Sequence, residues 1–132
     1  MKQLSVSRRS FLKATGAAVA LPNIITSSAL GAGGRPPASE RIVMAGIGMG
    51  GQGSGDLGEF MGDPRIQVVA VCDVKNENLN NIKNAVNGRY NNKDCKGYVD
   101  YRELIARDDI DMILCATPDH LHAQVSIDAM KR

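Results

Sequence analysis

Arg41-Ile42-Val43-Met44-Ala45-Gly46-Ile47-Gly48-Met49-Gly50-Gly51 is a short apolar run that breaks directly into glycines. Gly46, Gly48 and Gly51 give G-x-G-x-x-G straight after a strand-like segment, the context a dinucleotide-binding turn demands. In that reading Gly46 permits the tight turn off the strand and Gly48 lets the backbone approach a pyrophosphate. Gly51 lets the next helix lie close on the sheet. Met49 and Gly50 complete the loop, and the helix offers its free N–H groups to the phosphates. A glycine fingerprint alone is weak, because glycine-rich loops are common. It gains weight from an acidic residue about 20 positions further on. Asp73 closes the run Ile66-Gln67-Val68-Val69-Ala70-Val71-Cys72, 22 residues after Gly51. Taken alone, Asp73 reads equally as a helix cap or as a ligand of the adenosine ribose.

Residues 1–31 read as a targeting segment and are set aside from the fold. Ser7-Arg8-Arg9-Ser10-Phe11-Leu12-Lys13 precedes a modestly apolar stretch from Ala14 to Leu21 and a small-residue patch around Ser27 to Ala32. The segment resembles a twin-arginine export signal at its two arginines, Phe11, Leu12 and Lys13. Gly16 and Pro22 interrupt the apolar part, which falls short of the roughly 18 apolar residues of a spanning helix. Cleavage is expected after Ala29 or Gly31. The resemblance implies passage through the twin-arginine machinery to the periplasm or another extracytoplasmic space. That route carries folded proteins, and nicotinamide dinucleotides are abundant only inside the cell, so a tightly held cofactor is expected.

Charge and cysteine content exclude several classes. The net charge of +2 arises in the leader: without Lys2, Arg8, Arg9 and Lys13, 12 basic side chains face 14 acidic ones. Nucleic-acid binders show clustered basic patches, and aromatic stacking residues make up only 4% of the chain, so no nucleic-acid partner is expected. Cys72, Cys95 and Cys115 form an odd set with no C-x-x-C spacing. Cys72 and Cys115 lie in apolar strand contexts and read as buried, inert thiols. No metal site is expected.

Residues 32–39, with Gly33-Gly34 and Pro36-Pro37, read as a flexible linker, and residues 40–132 as the domain. Strands are expected at about 41–46, 66–72, 97–99 and 111–116. Helices are expected at about 51–61, 76–86, 101–107 and 119–131, with Gly88 stopping the second. Strands alternating with helices predict an α/β, doubly wound parallel sheet of the Rossmann type, cut short after the fourth strand and its helix. Gly51, Gly55 and Gly58 share one helical face. Each interior helical glycine costs roughly 1 kcal/mol relative to alanine, and close approach to sheet and phosphates is the expected compensation.

The fourth strand runs into Ala116-Thr117-Pro118-Asp119-His120-Leu121-His122. Together with the glycine turn and Asp73, this segment resembles the N-terminal domain of the glucose-fructose oxidoreductase and inositol dehydrogenase family (Gfo/Idh/MocA), whose fourth-strand motif is similar to Ala-Thr-Pro-x-x-x-His. The likeness covers roughly residues 40–132. It implies that Thr117, Pro118 and His122 line a dinucleotide near its nicotinamide ribose; a helix-packing histidine is the alternative for His122. Asp119 is expected to cap the last helix. His120 reads as a solvated first-turn residue, and its spacing of two from His122 argues against a shared metal. Full-length members continue into a strand carrying Glu-Lys-Pro, whose lysine is linked to catalysis, and a substrate domain. No catalytic acid or base can therefore be named here, and the segment alone is expected not to turn over substrate.

The resemblance implies the NAD(P)-binding domain of an exported oxidoreductase that moves hydride between nicotinamide and a sugar or polyol hydroxyl. Asp73 favours NAD, since its carboxylate accepts from a 2′-hydroxyl and repels a 2′-phosphate; Lys75 keeps NADP open. Two alternatives remain: an NAD-dependent glycoside hydrolase of the same family, and a non-catalytic dinucleotide-binding module. A methyltransferase also places glycines after strand one and an acid after strand two, but the Thr117-Pro118 segment argues against it. Substrate and oligomeric state stay open.

Overall fold

The opening apolar run becomes β1 (Ile42–Ile47), one residue longer into the glycines than its composition suggests. The computed structural model describes Leu30 and residues 35–132, so the twin-arginine segment lies outside the described residues save Leu30. After β1 come α1 (Gly51–Phe60), β2 (Ile66–Cys72), α2 (Asn76–Tyr90), β3 (Lys96–Tyr98), α3 (Tyr101–Ile105), β4 (Met112–Cys115) and α4 (Asp119–Met130). A single 3-10 turn, Ala38–Glu40, precedes β1. Among the described residues no helix is long and apolar enough to cross a membrane.

All strand pairs are parallel and the order is β3-β2-β1-β4. The chain thus winds outward from β1 through β2 to β3, then crosses back to lay β4 on the other side of β1. Gly46 stands opposite Val71 and Leu114, and Ile47 opposite Cys72 and Cys115. The β1–β2 register slips at Met44/Ala45, where Val69 is the extra residue. Cys72 and Cys115 are therefore separated by β1, two strand spacings or roughly 10 Å apart, too far for a disulfide. All three cysteines are free thiols; Cys72 and Cys95 are buried and Cys115 is half-buried.

Each face of the sheet carries its own apolar cluster, as expected of strands covered on both sides. On one face Met44, Val68 and Val71 meet Leu57 of α1 and Leu79, Ile82 and Val86 of α2. On the other, Ala45, Ile47, Ala70 and Cys72 meet Leu104 of α3 and Val125 of α4.

Three expectations are corrected. Gly88 does not stop α2: it lies exposed inside the helix, which runs on to Tyr90 and ends at Asn91 in the left-handed conformation (φ 51°). Asp119 does not cap α4; Pro118 holds the cap position and Asp119 is the first helical residue, where its charge suits the positive end of the helix dipole. The end of the expected flexible linker is held on the domain. Arg35 donates to the Ile66 carbonyl (3.2 Å) and Gln67 Oε1 (2.9 Å), and its guanidinium lies 4.9 Å above the Tyr90 ring.

Candidate dinucleotide site

Where β1 ends, its ladder continues for one more step on both sides. Gly48 N–H donates to the Cys72 carbonyl (2.9 Å) and Ala116 N–H to the Ile47 carbonyl (2.8 Å). These bonds draw the ends of β2, β1 and β4 together, and the order in which strands are added to the sheet reverses between β1 and β4. A cleft of about 300 Å³ opens at that edge, the place where open α/β sheets bind ligands.

The glycine turn forms the first wall, but its duties fall two residues later than the sequence suggested. Gly46 lies inside β1 and makes no turn; a Cβ there would sit 2.8 Å from Met49 Sδ, so this glycine leaves room for the Met49 side chain. The turn is made by Gly48, with φ +82°, where a Cβ would also lie 2.7 Å from the Ala116 backbone. Gly50 is the N-cap of α1, and a Cβ on it would meet open space. Close packing belongs to Gly53, where a Cβ would fall 2.2 Å from the Gly48 carbonyl oxygen and 2.9 Å from Ala116 Cβ. The working motif is thus Gly48-x-Gly50-x-x-Gly53. Gly51, Gly55 and Gly58 are exposed, with nothing within 4 Å of a Cβ, so they do not carry the helix onto the sheet.

The expected site residues separate accordingly. Gly48, Gly50, Asp73, Thr117 and Pro118 line the cleft, whereas Gly46, Met49, Gly51 and His122 do not. Met49 is core, 1% exposed. His122 is exposed, one turn into α4, with Nδ1 3.2 Å from the Thr117 carbonyl; Leu121 and Val125 present the helix to the cleft instead. Asn78, Val99 and Tyr101 also line it and were missed. Asn78 is one turn into a helix beginning after Asp73, so its reach back to the acid was available from spacing. Val99 and Tyr101 are brought in by β3, too short a strand to announce its direction.

Asp73 forms the opposite wall and is the one buried charged side chain among the described residues, 7% exposed. Its Oδ1 accepts from Lys75 N–H (2.7 Å) and its Oδ2 from the Asn78 amide (3.3 Å). It therefore braces the chain just ahead of α2 and lines the cleft, but it is not the helix cap: Lys75 holds that position, with no side-chain cap bond. Below it, burial pushes the Cys72 thiol up to about 11, with the Asp73 charge adding to the shift. Such a thiol is protonated at neutral pH and makes no nucleophile.

This arrangement fits a dinucleotide. The start of α1 has no side-chain cap and no acidic residue in its first turn, leaving its N–H groups and positive dipole end for an anion. Gly48 and Gly50 keep side chains out of the approach, and Asp73 supplies an acceptor for a sugar diol across the cleft. Among the described residues no group of three or more His, Cys, Asp or Glu side chains is placed to hold a metal.

Fold and cleft define a dinucleotide-binding α/β domain of Rossmann architecture. The sequence narrows this further: residues 41–132 match the model of the oxidoreductase family GFO_IDH_MocA, NAD-binding Rossmann fold, and residues 5–22 match the twin-arginine translocation signal. The chain belongs to the Gfo/Idh/MocA family, carries its NAD-binding domain, and bears a signal for twin-arginine export to the periplasm or extracytoplasmic space. Among curated proteins it is 32% identical over 97 residues to a glycosyl hydrolase family 109 protein of Saccharopolyspora erythraea, covering 71% of this chain and 21% of that protein. It is 30% identical to glycosyl hydrolase family 109 protein 1 of a Shewanella species, covering 96% of this chain and 32% of that protein. The chain thus spans a third or less of these relatives.

Solved structures share the fold. A myo-inositol dehydrogenase from Corynebacterium glutamicum superposes with a TM-score of 0.60 at 24% identity, over 70% of this chain and 26% of that one. Scyllo-inositol dehydrogenase from Lactobacillus casei, solved with NAD(H) and scyllo-inositol, gives 0.60 at 17% identity, over 69% and 25%.

Proposed function

We propose that this chain seats the pyrophosphate of NAD on the start of α1, between Gly48 and Gly50, and its adenosine ribose on Asp73. Thr117 and Pro118 then flank the path toward the nicotinamide. The protein to which the domain belongs moves hydride between that cofactor and a carbon-bound hydroxyl of a sugar or polyol outside the cytoplasm. NAD, when bound, supplies the hydride acceptor; the protein supplies placement. What supports the reading most is the pairing across one cleft of an uncapped helix start with a buried carboxylate. The α1 N–H groups hold the diphosphate, Gly48 and Gly50 admit it, and the Asp73 carboxylate accepts from the ribose hydroxyl while repelling a 2′-phosphate.

The test is calorimetric titration of the full chain, first stripped of any bound dinucleotide, with NAD and NADP. Hydrogen bonds to charged groups contribute about 1.5–3 kcal/mol, so Asp73→Ala should weaken NAD by roughly tenfold to a hundredfold and erase the preference over NADP. Equal affinity of wild type and variant for NAD would remove Asp73 from the site.

A second reading is favoured by the relatives named glycosyl hydrolase family 109. In it the cofactor would take a hydride from the sugar and later return it, while the aglycone leaves as its alcohol and water adds to the sugar, so that the net reaction is hydrolysis. Both readings use the same cleft; they differ in whether a glycosidic bond is broken and in whether reduced cofactor accumulates. Cleavage of a chromogenic glycoside by the protein without a net rise in NADH selects the glycosidase; stoichiometric NADH selects the dehydrogenase.

A further inference from the structure

The bonds around Asp73 carry more than its presence in the cleft. Its carboxylate is almost out of water, so its lone pairs need donors. Lys75 N–H occupies one on Oδ1, at 2.7 Å, and this bond belongs to the backbone entering α2. The bond to Oδ2 comes from a side chain, the Asn78 amide at 3.3 Å, and Asn78 is itself half-buried in the cleft lining. A carboxylate accepts only, which fixes the amide with its nitrogen toward Asp73. With one donor on each oxygen the carboxyl plane has a single orientation, and its remaining lone pairs are left for hydroxyls entering the cleft. Without the Asn78 bond the carboxyl group can turn about its terminal torsion, which is soft. Lys75, exposed on the same wall, would then meet an incoming anion with the opposing carboxylate turned aside.

We infer that Asn78 is a positioning residue that sets the choice between NAD and NADP by locking the Asp73 carboxylate toward the ribose diol. The inference rests on the cofactor reading above and deepens it: Asp73 supplies the charge, and Asn78 makes its direction definite. Asn78 acts through Asp73, so its effect should vanish when Asp73 is removed.

The experiment strips the full chain and its Asn78→Ala, Asp73→Ala and doubly substituted variants of any bound dinucleotide, then titrates them with NAD, NADP and 2′-deoxy-NAD, with thermal unfolding followed alongside. Asn78→Ala should weaken NAD three- to tenfold and leave NADP unchanged or tighter, so that the NAD-to-NADP affinity ratio falls by about tenfold. The advantage of NAD over 2′-deoxy-NAD should shrink with it. In the Asp73→Ala background the same substitution should change nothing beyond twofold. If Asn78→Ala does not fold, Asn78→Ser, which keeps a shorter donor, should show the same changes at smaller size. A wild-type ratio retained in the folded variant, or an equal loss for NAD and NADP, overturns the positioning role while leaving Asp73 in place. Wild type that carries no dinucleotide as purified and binds neither one overturns the cofactor reading itself, and the inference with it.

Discussion

At the residue scale the decisive question is which glycines the turn needs, and the geometry answers by what a methyl group would meet. At Gly48 a side chain would face a left-handed backbone and the Ala116 peptide at once; at Gly53 it would meet the Gly48 carbonyl at 2.2 Å. Neither neighbour is a flexible side chain that can step aside. Gly53→Ala should therefore cost about 1–3 kcal/mol, the usual range for overpacking, while Gly55→Ala and Gly58→Ala, in open space on the exposed face of α1, should each stabilise by roughly 0.5–1 kcal/mol. Urea denaturation of the three variants checks this, and a stabilising Gly53→Ala would sink the packing assignment. Sequence showed the motif but not its register, because the glycines at 46, 48, 50, 51 and 53 satisfy G-x-G-x-x-G twice. What separates the two solutions is the length of β1, which holds Gly46 in its ladder opposite Val71 and Leu114.

At the element scale periodicity placed every strand and helix, and the misses lie at ends set by tertiary contacts. α2 outruns Gly88 because Tyr90 is worth burying: its hydroxyl accepts from Val68 N–H (3.2 Å) and donates to the Ile66 carbonyl (3.4 Å). Asn91 then takes the left-handed position, a place asparagine tolerates. No local signal reports a partner strand some 22 residues away. β2 and the residue just before β3 also place Cys72 and Cys95 in apolar surroundings, and burial pushes both thiols up to about 11. A thiol whose folded pKa is raised adds stability that is fully present below its unfolded value, near 8.5, and is lost as pH rises through the folded value. Stability should therefore fall between about pH 9 and 11, and the fall should be shallower in a Cys72→Ala/Cys95→Ala variant, whatever that variant's stability at neutral pH. Denaturant midpoints across that range decide it; parallel curves for wild type and variant would show that the thiols are not what titrates.

At the scale of the whole molecule the leader and the cleft make a joint demand. The signal matched at residues 5–22 sends the chain out by a route that carries folded proteins, and the occupant proposed for its cleft is a dinucleotide abundant only inside the cell. A domain that let NAD go would arrive outside with an empty cleft, where the dinucleotide is scarce. Retention at micromolar protein needs a Kd well below 1 μM, or more than about 8 kcal/mol of binding. The cleft offers the terms for it in the free helix start, the buried carboxylate of Asp73 and apolar walls from Ile47, Tyr101 and Val125. The exported protein should therefore yield close to one dinucleotide per chain when it is purified from outside the cytoplasm, denatured and its released ligand weighed. Asp73→Ala should emerge with little or none. An Arg8→Lys/Arg9→Lys variant, held in the cytoplasm by loss of the twin-arginine pair, should carry as much as the exported wild type. Exported wild type found empty beside a loaded cytoplasmic variant would mean that the cofactor is lost in transit, and the coupling of export to cofactor would fail on that result alone.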